Sequence, residues 1–121
     1  MNWITKGDTI IFAPEFDAEL DIELISDYTK LIFSDYKLCD DLFERYENNK
    51  HTSTYIKSKF NQKIDDLPQN ITYLIFGWNF NQDVNNLPLD LTHLTFGVYF
   101  NKVANDLPSG LTHLTFGLPR K

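Results

Sequence analysis

Two histidines occupy the same place in two identical heptapeptides. The sequence LTHLTFG stands at Leu91–Gly97 and again at Leu111–Gly117, which sets His93 and His113 20 residues apart. Imidazole binds metals and changes charge near neutral pH, so the pair suggests a metal centre or a pH-sensitive contact. A metal centre usually needs three or four side-chain ligands, and the matching residue one interval earlier is Tyr73. We therefore expect no metal site and interpret both histidines as an exposed polar row, for which a partner-binding role stays open.

Acidic side chains and a lone cysteine form the other cluster that could do chemistry. Paired carboxylates serve general acid–base reactions, and a cysteine serves as a nucleophile when a base activates it. The cluster comprises Cys39, Asp40, Asp41, Glu44 and Glu47. The acids fit the polar side of a short amphipathic helix, and no histidine is near the cysteine in sequence. We interpret the acids as a solvated face and predict neither an enzyme nor a cofactor.

The overall charge argues against two classes of partner. The 121 residues carry a formal net charge of −6, which disfavours nucleic acid and anionic membrane surfaces. No run of about 18 apolar residues that would span a bilayer occurs. The start lacks the basic and then apolar pattern of a secretion signal. Together with the single cysteine, these features predict a cytoplasmic protein.

The heptapeptides belong to a longer repeat that must position every candidate residue. Three units of 20 residues follow one another at 60–79, 80–99 and 100–119. Eight of the 20 positions are identical in all three units: Phe, Asn, Leu, Pro, Thr, Leu, Phe and Gly. A fixed period at the short end of roughly 20–29 residues is typical of leucine-rich-type solenoids, whose units bury their apolar sides by stacking. The sequence therefore predicts a mainly β solenoid with short parallel strands and 20-residue coils.

Within one unit the residues alternate as in a β-strand. Leu94 and Phe96 face one side of the strand, and His93 and Thr95 face the other. The glycine that follows suits a turn, because glycine adopts backbone conformations closed to other residues. The asparagine of each unit comes after this turn, where we expect stacked copies to form a hydrogen-bonded ladder.

The first half of the chain carries weaker echoes of the same pattern. The predicted strand cores are Ile10–Phe12, Leu31–Phe33, Leu74–Phe76, Leu94–Phe96 and Leu114–Phe116. The second and third cores lie 43 residues apart, close to two periods, and a helix pattern, DDLFERYENN, occupies residues 40–49 between them. We interpret residues 1–59 as a degenerate N-terminal cap with a short helical insert, and residues 60–121 as three repeats and a C-terminal end.

The units resemble the FNIP repeat, a leucine-rich-like repeat of social amoebae and of giant viruses that infect amoebae. The resemblance rests on Phe-Asn-Gln at Phe60–Gln62 and Phe80–Gln82, and on Leu-Pro and Phe-Gly pairs that recur in step. It covers residues 60–119 clearly and 9–36 weakly. It implies a solenoid used for protein contacts, in the host cytoplasm if the source is viral, and it supplies no catalytic site.

The same resemblance leaves an alternative function open. Some relatives resemble F-box proteins at the amino end, which implies a substrate adaptor of a ubiquitin ligase that docks through residues 1–59. A separate helical bundle in this region would favour the adaptor. A continuation of the solenoid would count against it.

We predict that an unidentified protein binds the side of the sheet that carries the histidines. The predicted contact residues are Tyr73, Ile75, Trp78, His93, Thr95, Val98, His113 and Thr115. Aromatic and small polar side chains in one row suit a protein contact. Trp78 stands out because the other units do not repeat it, although it would equally cover the join to the cap.

The phenylalanines predict both the core and an open end. Phe60, Phe76, Phe80, Phe96, Phe100 and Phe116 recur at core positions of the repeat. Phe116 differs from the others because it lies in the last unit, with Gly117–Lys121 after it. Either Pro119, Arg120 and Lys121 blunt this edge, or another copy of the chain covers it as a homodimer or a stack.

Overall fold

The computed structural model describes residues 2–48 and 54–117, which form one continuous sheet with two short helices. In chain order the elements are β1 Trp3–Lys6, β2 Thr9–Phe12, α1 Ile22–Ile25, β3 Lys30–Phe33, α2 Leu42–Asn48, β4 Tyr73–Ile75, β5 His93–Phe96 and β6 His113–Phe116. β1 pairs antiparallel with β2, and each later pair is parallel. The strands follow one another across the sheet in chain order. The molecule is therefore a leucine-rich-repeat-like β solenoid, as the repeat predicts.

Two columns of phenylalanine rings fill the inside of the solenoid. The first column comprises Phe12, Phe33, Phe76, Phe96 and Phe116, with successive ring centroids 5.2–5.9 Å apart. The second comprises Phe16, Phe60, Phe80 and Phe100, with centroids 5.8–6.3 Å apart. The columns touch within each coil, and the centroids of Phe76 and Phe80 are 3.7 Å apart. Each fully buried ring contributes about 1.5–3 kcal/mol, so the coils stabilise one another.

Burial along these columns ends abruptly at β6. Phe60, Phe76, Phe80 and Phe96 are at most 2% exposed, which confirms them as core. Phe116 is 48% exposed. The residues that were predicted to blunt this edge, 119–121, lie outside the described part of the chain.

The recurring asparagines form the predicted ladder. The backbone N–H of Asn81 donates to Oδ1 of Asn61 at 2.8 Å, and the N–H of Asn101 donates to Oδ1 of Asn81 at 3.0 Å. Asp17 takes the same place in the first coil, where its Oδ1 accepts from the N–H of Asn61 at 2.9 Å. A short side-chain acceptor at this position thus satisfies a backbone donor of the next coil.

Gly97 is required by close packing between coils, and the predicted reason for it was wrong. The described glycine with positive φ is Gly7, at 59° in the β1–β2 turn. A Cβ atom on Gly97 would lie 2.6 Å from the carbonyl carbon of Gly77, and one on Gly117 would lie 2.6 Å from the carbonyl carbon of Gly97. The coils therefore approach too closely here for any side chain.

The 43-residue interval does not hold two periods, which corrects the sequence interpretation. β3 pairs directly with β4, with Lys30 opposite Tyr73. The coil between them carries an insertion, residues 36–57. The two residues that flank the insertion meet at its base, where Oδ1 of Asp35 accepts from the N–H of Ser58 at 2.7 Å. The interval is therefore one ordinary coil enlarged by an insertion.

The helix predicted within the insertion is present as α2, and its side chains pack on the sheet. Leu42 is fully buried against Ile11 and Ile32. The predicted end of the helix at residue 49 lies outside the described residues. The described helices include none that is long and apolar enough to cross a membrane.

Two elements escaped the sequence analysis. β1 folds back on β2 through the turn at Gly7 and packs Trp3 edge-on against Phe12, with centroids 6.0 Å apart. α1 is a single turn capped by Asp21, whose Oδ1 accepts from the N–H of Leu24 at 3.2 Å. The described residues before Phe60 thus contribute three strands to the same sheet, which counts against a separate docking bundle.

Candidate protein-binding face

The outer face of the sheet presents two rows of side chains, with one residue from each parallel strand. The first, here called the histidine row, comprises Thr9, Lys30, Tyr73, His93 and His113. The second, here called the isoleucine row, comprises Ile11, Ile32, Ile75, Thr95 and Thr115. Paired residues of parallel strands face the same side, so the register alone aligns these rows. Six of the eight predicted contact residues lie in them.

The insertion covers the first half of the isoleucine row. Ile11 and Ile32 are at most 4% exposed beneath Leu42. Ile75 is partly buried at the edge of this cluster, whereas Thr95 is half-buried and Thr115 is exposed. The chain's own insertion therefore occupies the β2–β3 side of the face, and the β4–β6 side remains open to solvent.

The histidine row forms a continuous stack across four strands. Nζ of Lys30 lies 5.2 Å from the centroid of the Tyr73 ring. The rings of Tyr73 and His93 are stacked 4.2 Å apart, and those of His93 and His113 are stacked 4.0 Å apart with 9° between their planes. Neighbouring strands lie about 4.8 Å apart, which lets flat side chains in register stack face to face.

Threonine ladders orient the histidine rings. Oγ1 of Thr92 lies 3.1 Å from the carbonyl oxygen of Thr72 and 2.9 Å from Nδ1 of His93. The hydroxyl therefore holds Nδ1 in a hydrogen bond whose direction follows the tautomer of the ring. Thr112 and His113 repeat this arrangement. In both residues Nε2 lies on the ring edge away from the threonine contact.

The environment of His93 favours the neutral ring. Burial lowers the pKa of His93 from its usual range, and repulsion from a protonated His113 and from Lys30 lowers it further. Protonating His93 would place a cation between a lysine and a second imidazole, which raises its free energy. The folded structure therefore stabilises the neutral form of His93 relative to the protonated form.

The stacked histidines do not converge on a metal position. Their ring planes are nearly parallel, so the two Nε2 atoms point side by side rather than toward one point. Within residues 2–48 and 54–117, no group of three or more His, Cys, Asp and Glu side chains could hold a metal ion. Of the acids that were predicted to form a solvated face, Glu44 and Glu47 are exposed. Asp41 accepts a hydrogen bond from the thiol of Cys39 at 2.7 Å.

Trp78 and Val98 follow the strands instead of lying in the two rows. The Trp78 ring meets Tyr55 of the insertion edge-on, with centroids 6.1 Å apart, and Nζ of Lys57 lies 4.4 Å from its centroid. It also meets Tyr99 of the next coil at 6.3 Å. Trp78 therefore packs against the join with the insertion, and Val98 is half-buried one coil further on.

A cavity that sequence reasoning missed adjoins the histidine row. It measures about 490 Å³ and lies between α2 and the outer face of the sheet. Its lining includes Lys6, Lys30, Tyr73, Ile75, Phe43 and Tyr46. The repeat itself carried the signal for Lys30, because TKLIF at 29–33 aligns with TYLIF at 72–76 and THLTF at 92–96.

A comparison with protein families matches the second half of the chain to one repeat. The model described as FNIP Repeat matches at residues 60–97 and again at 83–118. Residues 60–118 are FNIP repeats. A comparison with curated proteins gives no significant match.

One solved structure extends the likeness beyond the FNIP repeats. It is CroV588, from a giant virus and described as a novel circular leucine-rich-repeat protein, which aligns with a TM-score of 0.60 and 29% sequence identity. The alignment covers 97% of the present chain and 19% of CroV588. The present chain therefore spans about a fifth of that protein's length, and the likeness includes the strands that precede the FNIP repeats.

Proposed function

We propose that the chain is a non-catalytic protein-interaction module that binds its partner on the β4–β6 side of the outer face. FNIP and leucine-rich-like solenoids are typically scaffolds for protein contacts. The observation that carries the proposal is the stack of Tyr73, His93 and His113 on this side, where the insertion leaves the face open. Flat rings present contact area at a low cost in conformational entropy.

The remaining predicted contact residues complete this surface. Ile75, Thr95 and Thr115 lie beside the stack in the isoleucine row, and provide apolar and hydroxyl groups next to aromatic ones. Trp78 and Val98 would form the rim of the surface at the far ends of the strands. A partner that lies across the strands would contact both rows at once.

Site-specific photo-cross-linking tests this proposal. A benzophenone amino acid placed at position 93 or 95 should capture one and the same protein from an extract of the source cells. Placed at Asn85 or Lys102, which are exposed on the return arms, it should capture that protein with several-fold lower yield. Equal capture from the return arms would show that the partner binds elsewhere.

We further propose that a second copy of the chain pairs with the open edge of β6. In an antiparallel pair centred on Thr115, Leu114 of one copy lies opposite Phe116 of the other on the core side. These two residues are 41% and 48% exposed, whereas Leu94 and Phe96 at the same places in β5 are at most 1% exposed. A second copy would supply the cover that each coil gives its neighbour.

The ubiquitin-ligase adaptor has less support. The described strands before Phe60 continue the sheet, and α2 packs on the sheet instead of belonging to a bundle. The cytoplasmic location remains a prediction from the sequence.

A further inference from the structure

We propose that the cavity between α2 and the sheet anchors a large apolar side chain of an extended partner segment, with an acidic residue beside that side chain lying over Lys30. This inference rests on the proposed interaction function and names the chemistry of the partner. The regular coils of the chain do not form such a cavity, because its wall comes from the insertion.

The cavity suits an apolar side chain by its size and its floor. Ile75 of the isoleucine row contributes the partly exposed apolar floor, with Ile11 and Ile32 buried behind it, and Phe43 of α2 forms part of the wall. Binding pockets generally measure about 300–1,000 Å³ and are lined mainly by apolar groups. A volume of about 490 Å³ therefore accepts an aromatic or long aliphatic side chain, which is the usual anchor of a protein contact.

The shape of the surface favours a segment over a compact ligand. Tyr73 and Ile75 line the cavity, and the same two rows continue from them to His93 and Thr95 and on to β6 without a break in register. A partner segment that places a side chain in the cavity can therefore continue over the exposed face of β5 and β6. A partner backbone that runs across the strands would use both parts.

The charge of this surface favours an acidic segment. The outer rows of β3–β6 contain no carboxylate: they comprise Lys30, Ile32, Tyr73, Ile75, His93, Thr95, His113 and Thr115. Exposed carboxylates lie on the return arms instead, at Asp65, Asp66, Asp83, Asp90 and Asp106. In a chain of net charge −6, the absence of carboxylates from these rows favours an acidic partner over β4–β6.

The rim of the cavity sets the direction of the segment. Asp8 and Glu47 line the cavity, and Asp8 is engaged by the hydroxyls of Thr9 and Thr29 at 3.2 and 3.3 Å. Lys30 belongs to the histidine row, and its ammonium group lies over the Tyr73 ring. Lys6 also lines the cavity, and its Nζ lies 6.0 Å from the centroid of the Phe43 ring, so the α2 side carries charges of both signs. The outer rows on the β4–β6 side lie next to Lys30 and carry no carboxylate, so an acidic residue of the partner is favoured there.

Selection from a library of random 12-residue peptides displayed on phage tests the proposal with the full chain. We expect the enriched peptides to share a large apolar residue next to Asp or Glu. Lys30→Glu should weaken the best synthetic peptide by about tenfold, whereas Lys102→Glu, the same charge change on a return arm, should leave its affinity within about twofold. Thr9→Trp should fill the cavity and abolish binding, whereas Thr5→Trp on β1, outside the cavity, should not. Circular dichroism and thermal melting establish that each variant is folded.

The possible outcomes separate this inference from the proposed function. One outcome would overturn the inference and leave the proposed interaction face in place. In that outcome the peptides lose affinity with Thr95→Arg, but they carry no acidic residue and bind Lys30→Glu as tightly as the wild type. A basic consensus would also overturn it. Peptides that bind Thr95→Arg unchanged, or no enrichment at all, would count against both.

Discussion

Lys30 and Tyr73 are neighbours in the sheet, and the ammonium group of the first lies over the ring of the second, although the strands that carry them are separated by the insertion. The contact joins a coil before the insertion to the first FNIP repeat. It also places Lys30 at the β3 end of the stack, which continues through Tyr73 to both histidines. The insertion is therefore an addition to a continuous solenoid and not a boundary between two domains of different architecture.

The placement of α2 gives the outer face two different halves. α2 buries Ile11 and Ile32 and ends the open surface near Ile75. A regular coil without the insertion would leave the whole face flat. The insertion thus creates both the cavity and the limit of the surface that a partner can reach.

Asp35 should be the residue that holds the insertion on the solenoid. Its Oδ1 accepts from the N–H groups of Ser58 at 2.7 Å and Trp78 at 3.0 Å. Asp35→Ala leaves both donors without this acceptor and should lower the free energy of unfolding by about 1–3 kcal/mol. Asp35→Asn keeps an oxygen at this place and should cost less than half as much in urea denaturation. Equal losses in the two variants would contradict this role.

Asp35 also shows what a sequence can predict in a repeat protein. The inward leucines and phenylalanines, the asparagine ladder and the helix around Leu42 follow from local patterns of period 2, 3.6 and 20. The pairing of Asp35 with Ser58 and Trp78 depends on where an insertion closes, which no periodicity encodes. The interval of 43 residues was for that reason mistaken for two coils.

The sequence predicted the two rows of the candidate face, but it did not predict that α2 covers part of that face. Alternation places His93 and Thr95 outward, and the repeat extends that placement to Tyr73 and His113. The cavity escaped prediction because its wall comes from α2, and the sequence does not specify which face of the solenoid a helix in an insertion will cover. Trp78 was placed among the face residues because a side chain beyond the strand has no alternation to orient it.

Gly97 should tolerate no side chain, in contrast to Gly110. A Cβ at Gly97 would meet the backbone of Gly77, whereas a Cβ at Gly110 would have nothing within 4 Å. Gly97→Ala should therefore force the coils apart and cost about 1–3 kcal/mol or more. Gly110→Ala should change stability by less than about 1 kcal/mol. Thermal unfolding followed by circular dichroism measures both, and similar melting temperatures would contradict the close-packing argument.

Stability should fall on acidification through His93. Its pKa in the folded protein is lower than its ordinary value, so the unfolded chain takes up the proton first as the pH falls below about 6.5. The stability associated with the neutral ring is thus present above this pH and is lost as the pH falls through the folded pKa. Urea denaturation between pH 8 and pH 5 measures the loss.

The matched variant for the acidification experiment is His93→Tyr. Tyrosine occupies this place in β4 as Tyr73, so the stack can persist without an imidazole at position 93. The difference in unfolding free energy between the two proteins should change in favour of His93→Tyr as the pH falls, while the carboxylates that both share cancel. A constant difference across this range would remove His93 as the cause.

Self-association through β6 should depend on Thr115. In the proposed antiparallel pair, Thr115 lies opposite its own copy, so Thr115→Lys places two like charges directly across from each other, which is destabilising. Because Thr115 is exposed and outside the core, the variant should fold with unchanged thermal stability at low concentration. Sedimentation equilibrium should show the wild-type chain shifting from monomer to dimer as its concentration rises, and Thr115→Lys should remain monomeric. Ser109→Lys adds the same charge at an exposed position of the return arm and should dimerise like the wild type. A wild-type chain that stays monomeric, or a Thr115→Lys variant that dimerises equally well, would show that β6 does not pair with a second copy.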